Sequence, residues 1–398
     1  MKAIWVFGIV ALAVCSTANA AGRLDIKLQN IKTAKAATAT ATAGASVTVT
    51  MSNTGDQSIE IPASYVPDLG KDGVLQANIF NITQEDGSAV DYRGIYVHNV
   101  RGSTSKVVLA PGQLTVKTID LSLSYEIMPG RKYSVAVQPF VRYREQSEPR
   151  SKTNSADMKF LRAATSNTIE ITPQATNSQS FSNALDVQAA QVCDNSQQSA
   201  VQEAVLNAGD LALQAVTYTQ SLLQYDANAI FVFNQTPRYT KWYGAYGDPN
   251  DMSSPNGMIN GEIAWRLHVN AIRLGKIQGQ LPNAPVVSAT CSCDKQGKVD
   301  PATTIAWVNA AEPYVINICP IFFTLPAIGN AQNSDSKAGT ILHETSHFND
   351  GYTAGTSDLG DPNNPVEDAK FMAGAARDLA ADNAYNIEYY SSNLEGDQ

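Results

Sequence analysis

The sequence predicts two domains: an all-β N-terminal half of the immunoglobulin-like sandwich type, and a mainly α C-terminal half with a small β-sheet. Three observations lead there. Between about residues 23 and 175, short segments alternate polar and apolar residues with period two and are broken by Asp-Gly and Pro-Gly turns. Beyond residue 190, apolar residues recur at helical spacing instead. Past the first twenty residues there are four cysteines, all after position 190, which sets a cross-linked half apart from a half without cysteine.

The chain has 398 residues, 43% of them hydrophobic and 16% charged, enough for two domains. A net charge of −9 with no basic tract argues against nucleic acid or an anionic membrane as partner. Residues 1–20 read as a secretory signal: Lys2, an apolar run from Ile4 to Val14, then Ala18-Asn19-Ala20 before Ala21. The run is too short to span a bilayer. Lipidation at Cys15 is set aside because Val14 is a poor residue before a lipidated cysteine. The mature protein is expected to be secreted, outside the cell or into the periplasm, with no membrane insertion.

Residues 21–175 form the expected sandwich. An Ala-Thr-rich entry segment covers 34–45, and Ser46 to Ser52 is a clear strand closed by Asn53-Thr54-Gly55-Asp56. Further strands are predicted over 76–83, 94–99, 106–109, 114–121, 132–143 and 167–172, with turns at Asp86-Gly87, Pro111-Gly112 and Pro129-Gly130. No catalytic constellation stands out in this half. His98 and the run Arg142-Tyr143-Arg144-Glu145 read as surface or structural residues of strands.

A polar connector over 176–190 leads into the domain at 191–398; exposed segments of this kind are preferred sites of proteolytic nicking. A helix is predicted over 194–223, capped by Asp194 or Asn195, then an aromatic loop over 237–244 and a helix over 260–278. Short strands follow over 286–291, 304–308 and 314–319, and helices over 336–349, 366–381 and 383–391. Cys193, Cys291, Cys293 and Cys319 point to disulfides in an exported chain, and three pairings are open. Cys291 and Cys293 are one residue apart and are not expected to bond each other.

The helix over 336–349 carries His343-Glu344-Thr345-Ser346-His347. Positions i and i+4 share a helix face, so both imidazoles can reach one metal ion. Glu344, about 100° further round, can contact a metal-bound water without filling a ligand position. That is the zinc-hydrolase pattern, in which the ion lowers the pKa of water towards ~7 and the glutamate takes its proton. A third ligand is needed. One candidate is Asp358, which Gly351 and Gly355 allow to fold back beneath the helix. The other is Glu367, on the next helix, as in thermolysin-like peptidases.

Together, His-Glu-x-x-His and Gly355-Thr356-Ser357-Asp358 resemble the aspzincin metalloendopeptidases, the family of deuterolysin and the peptidyl-lysine metalloendopeptidases. Further similar landmarks are Cys193-x-x-Ser-Gln-Gln-Ser, Tyr239-Thr-x-Trp-Tyr-Gly, Cys291-x-Cys293, Ile318-Cys319-Pro320 and Asn383-Ala384-Tyr385-Asn386-Ile387-Glu388. The likeness covers about 190–393 and implies a zincin-type fold for this domain. It implies one Zn²⁺ per chain on His343, His347 and Asp358, Glu344 as general base, and protein or peptide substrates. It also implies the disulfides Cys193–Cys291 and Cys293–Cys319. By the same analogy, 21–175 is a prosegment that packs on the catalytic domain in the precursor and is removed on maturation.

Two positions depart from the family pattern. Its oxyanion-stabilising tyrosine falls on Asp361, which leaves Tyr352, Tyr385 or Tyr389 as substitute donors. In the lysine-specific members an aspartate and a glutamate three apart hold the substrate's lysine; here Glu388 is present and Tyr385 stands in place of the aspartate. The competing reading is an exported zinc-binding or adhesion module with impaired catalysis. Asp361 favours it, and the intact Glu344, without duty in a structural zinc site, opposes it.

Overall fold

The structure is a computed structural model. It describes residues 21–31, 45–67, 69–70, 73–103, 106–138, 141–146, 162–174, 193–225, 231–245, 255–277, 287–293, 299–310, 312–330 and 334–394. The signal segment over 1–20, most of the entry segment over 34–45 and the connector over 176–190 lie outside them.

Eleven strands are described before residue 172: β1 (Leu24–Asn30), β2 (Ser46–Asn53), β3 (Ile59–Pro62), β4 (Phe80–Gln84), β5 (Ile95–Asn99), β6 (Lys106–Leu109), β7 (Leu114–Asp120), β8 (Tyr133–Val137), β9 (Val141–Glu145), β10 (Arg162–Ala164) and β11 (Ile169–Ile171). The alternation in β2 turns Val47, Val49 and Met51 into the core. Ten of the strands make three sheets, β1-β2-β7, β10-β9-β3-β6 and β11-β8-β4, where two facing sheets were expected. The predicted strand over 132–143 is divided, with β8 and β9 in different sheets. The eleventh, β5, leaves the N-terminal sheets altogether.

Beyond residue 193 come α1 (Asn195–Ser221), β12 (Leu223–Tyr225), β13 (Phe231–Phe233), α2 (Pro237–Tyr243), α3 (Pro255–Arg273), β14 (Ser288–Thr290), β15 (Thr304–Asn309), β16 (Val315–Ile318), α4 (Lys337–Ser346), α5 (Pro365–Ala375), α6 (Arg377–Ala381) and α7 (Ala384–Ser391). Asp194 and Gln197 form a capping box at the start of α1. α4 packs against α1 and α7 on one side and against the sheet β14-β16-β15-β5 on the other. β5 thus makes an N-terminal strand the edge of the C-terminal sheet.

Two element assignments change. The aromatic stretch 237–244 is helix rather than loop: Thr236 caps it, Pro237 occupies its first turn, and its rings pack on α7, with Trp242 5.3 Å from Tyr389 and Tyr243 5.1 Å from Tyr390. The helix over 366–381 is broken at Ala376, whose backbone leaves the helical region at φ −157°. The disulfides are Cys193–Cys291 and Cys293–Cys319. Among the described residues, no helix is long and apolar enough to cross a membrane.

Candidate metal centre

α4 begins at Ser336, whose Oγ accepts from the Gly339 amide at 3.0 Å. All its residues from Ala338 to Ser346 are buried. His343 lies in its last turn and His347 caps it. The chain then reverses. Gly351 takes φ +81°, and Gly355 lies so close beneath the helix end that a Cβ there would sit 2.1 Å from the His347 carbonyl oxygen. Arg273 of α3 pins this reversal, bonding Asp350 and the carbonyls of Thr345 and Phe348.

The reversal delivers Thr356 and Asp358 to the two histidines. Ser357 is tied to the α6–α7 junction through the Asp382 carbonyl and the Ala384 amide, while the Leu359 amide donates to Asn383. Held on both flanks, Asp358 places Oδ1 2.8 Å from Nε2 of His343 and 3.3 Å from Nε2 of His347. The other ring nitrogens have their own partners. His347 Nδ1 lies 2.8 Å from the Thr356 carbonyl, and His343 Nδ1 lies 3.2 Å from Glu388 Oε2. Each Nδ1 is thereby engaged, and each Nε2 faces Asp358 as the nitrogen left for an ion. Glu388 reaches His343 across Gly339, where a Cβ would stand 2.4 Å from its Oε1.

This donor set fits a zinc ion. The ligand atoms of His343, His347 and Asp358 lie within 4.8 Å of one another, two imidazoles and one carboxylate. His347 Nε2, Asp358 Oδ2 and both oxygens of Glu344 are buried with no hydrogen-bond partner in the protein. Unpaired polar atoms at such depth are costly, and a bound cation removes the cost. Electrostatics agree. Burial disfavours the imidazolium of His343, yet Asp358 and Glu388 outweigh it and raise its pKa to about 10. The same carboxylates favour any cation at Nε2. Burial raises Asp358, but His347 and His343 more than reverse that and hold it well below the usual carboxylate range. Burial pushes the Glu344 carboxyl well up, and the opposing charge of His343 does not offset it.

The other expected residues fall as follows. Glu367 pairs with Lys370 on α5, half-exposed, and does not join the donor cluster. Tyr385 is buried with its ring 4.5 Å from that of His343. Tyr352 lies in the reversal loop, its amide on Asp350 and its carbonyl accepting from Trp265. Asp361 accepts from the amide and side chain of Asn363 and so closes the turn before α5. Glu388 is 1% exposed and turned to His343, whereas a lysine-pocket wall would face a cleft.

Two N-terminal residues need correction. His98 is no surface residue: it is 1% exposed, its ring stacked 4.2 Å from His343 and its Nδ1 3.9 Å from Glu344 Oε1. Arg142 is buried too, paired with Asp368 of α5 at 2.6 Å beneath the ring of Phe371. Local sequence could not disclose either, because each partner lies more than two hundred residues away. Arg273 escaped notice because its partners, too, lie outside its own helix, 72 to 77 residues along the chain. A cleft of about 340 Å³ runs between the two halves beside the centre, lined by Ser64, Asn99, Thr304, Asp358 and Tyr385 among others.

Residues 270–392 match the aspzincin family, described as lysine-specific metallo-endopeptidases. An extracellular protease of Aeromonas hydrophila is 27% identical over 360 residues, covering 86% of each chain. A peptidyl-Lys metalloendopeptidase of Grifola frondosa is 25% identical over 357 residues, again 86% of each. A solved zinc peptidase from Grifola frondosa aligns with 50% of this chain and 97% of its own at 27% identity, with a TM-score of 0.36.

Proposed function

The chain belongs to the aspzincin family of zinc metalloendopeptidases, and from that premise we propose that it is an exported, latent peptidase precursor with Glu344 as general base. The observation that carries this is the convergence of His343, His347 and Asp358 beside a buried, unpartnered Glu344 carboxylate. In this reading the three ligands hold one zinc ion per chain through the two Nε2 atoms and the Asp358 carboxylate. Bound zinc supplies Lewis acidity, polarising a carbonyl oxygen and lowering the pKa of water. Glu344 takes a proton at its carboxylate and passes it to the leaving amine; burial makes that carboxylate more basic and suits it to the task. Glu388 and the Thr356 carbonyl hold the imidazole rings in place.

Specificity follows from Tyr385. Lysine-specific relatives hold the substrate ammonium between two carboxylates, and here one is a buried phenol while Glu388 engages His343. Losing one charged partner costs about 1.5–3 kcal/mol, roughly ten- to hundredfold in preference. With Glu388 engaged on His343 as well, lysine on the leaving-group side is at most tolerated, and apolar or uncharged residues are accepted too. Export follows the signal at 1–20, and maturation cuts within 176–190.

Glu344→Gln decides the central point. The variant is expected to retain zinc and to lose casein digestion by about 10²–10⁴-fold or more. An undiminished rate would remove Glu344 from the chemistry. Wild type that binds zinc yet cleaves nothing after trimming would favour the impaired module to which Asp361 points.

A further inference from the structure

The N-terminal half lays one strand across the metal centre. β5 pairs antiparallel with β15, setting Ile95 opposite Asn309, Tyr96 opposite Val308, Val97 opposite Trp307 and His98 opposite Ala306. Contact continues past both ends of this ladder. The Ala310 amide donates to the Gly94 carbonyl at 3.0 Å, and the Val100 amide to the Thr303 carbonyl at 2.8 Å. The Arg101 amide donates to Asp335 Oδ2 at 3.3 Å, beside the Ser336 cap of α4. Residues 94–101 thus follow the edge of the C-terminal sheet and end at the helix that carries His343 and His347.

Alternation decides what this strand turns to the centre. Ile95 and Val97 join the cluster around the Cys293–Cys319 disulfide, while Tyr96 and His98 face α4. Two residues of strand advance about 6.7 Å and four residues of helix about 6 Å, so the two spacings match. Tyr96 accordingly stacks on His347 with ring centroids 4.1 Å apart, and His98 stacks on His343 at 4.2 Å. His98 Nδ1 also stands 3.9 Å from Glu344 Oε1. Non-bonded atoms settle about 3.5–4.0 Å apart, so the two are in contact and no substrate carbonyl passes between them. Under this cover His343 and Glu344 are 0% exposed and His347 1%. The cleft beside the centre reaches Asp358 and Tyr385, but neither histidine nor Glu344.

We propose that residues 94–101 are an internal blocking strand: in the full-length chain Tyr96 and His98 fill the space over His347, His343 and Glu344 that a peptide substrate has to enter. The proposal rests on the reading of the chain as a peptidase with Glu344 as base, and it names what keeps the precursor latent. Blocking is by occupancy. Each ring lies between the backbone of β5 and α4, so the strand's own peptide bonds are held off by the depth of a ring and are not presented to Glu344. Cutting the connector leaves the β5–β15 ladder intact; the centre opens when β5 leaves with the N-terminal half.

Full-length protein carrying Tyr96→Ala and His98→Ala together loses both rings and keeps the backbone bonds of the strand. Its initial rate on a short quenched-fluorescent peptide, with intact mass showing the chain uncut, is expected to exceed that of the wild-type precursor roughly tenfold or more, as the open fraction grows. Tyr96→Phe with His98→Phe keeps two rings in place and is expected to stay latent. An alanine pair that is folded by circular dichroism, loaded with zinc and still silent overturns the proposal, and so does an active phenylalanine pair. Where the alanine pair does not fold, a synthetic peptide of residues 94–102 is titrated into the trimmed wild type. Competitive inhibition that is lost on replacing its tyrosine and histidine by alanine supports the blocking strand, and no inhibition overturns it. Trimmed wild type separates the two layers: if it cleaves while the alanine pair stays silent, this proposal alone falls, and if it cleaves nothing, the peptidase reading beneath it falls.

Discussion

Replacing Glu388 tests whether a buried carboxylate on His343 sets the strength of the metal centre. Its Oε2 stands 3.2 Å from Nδ1, and both residues are fully enclosed. A carboxylate at that nitrogen orients the ring and makes Nε2 more basic; removing such a partner costs roughly 10–100-fold in metal affinity. That is about 1.4–2.8 kcal/mol, the range expected for Glu388→Ala. Glu388→Gln keeps an acceptor but exchanges a charge-assisted bond for a neutral one, a loss of about 1 kcal/mol, or roughly fivefold. Gly339→Ala offers a route that leaves the charge untouched, since the new Cβ would stand 2.4 Å from Oε1 and force the carboxylate away. Zinc affinity, measured by competition with a chromophoric chelator on the full-length protein, is expected to fall in all three, least in Glu388→Gln. Wild-type affinity in Glu388→Ala, with cleavage shifted away from lysine, would show that Glu388 belongs to the substrate pocket and not to His343.

Three further outcomes follow from the geometry. Asp358→Ala is expected to empty the centre while Glu367→Ala leaves zinc content near wild type; metal analysis showing the reverse would place the protein in the glutamate-ligand class. Arg142→Ala strands the buried Asp368, a loss of about 3–5 kcal/mol that should loosen the N-terminal half and make it readily trimmed by added protease. Burial, opposed by Arg142, already raises Asp368 from its ordinary 3.8 to about 6. Its contribution is thus fully present below pH 3.8 and lost as pH rises through about 6, so the Arg142→Ala defect should be larger at pH 7 than at pH 4; equal trimming at both would refute this assignment. Tyr385→Asp is expected to sharpen cleavage towards lysine in a mixed peptide library; strict lysine cleavage by the trimmed wild type would mean that the phenol does not broaden the pocket.

Local interactions made much of this molecule legible from sequence. Helical spacing alone puts His343 and His347 on one face with Glu344 beside them, and Gly351 and Gly355 mark where the chain must double back to bring in Asp358. Period-two alternation found β2 for the same reason, because burial of one face repeats within a few residues. Pairing across the chain was not legible. The cysteines left three connectivities open until family likeness selected one, and the strands of the N-terminal half sort into three sheets rather than two. Glu388 carries no local sign that it faces His343. Arg273 carries none that it holds the reversal loop, and His98 none that it belongs to the centre. Tertiary structure decided these, since each depends on a close approach between residues distant in the chain. His98 shows this most plainly: its neighbours predict a strand, and only the docking of that strand on β15 brings its imidazole to Glu344.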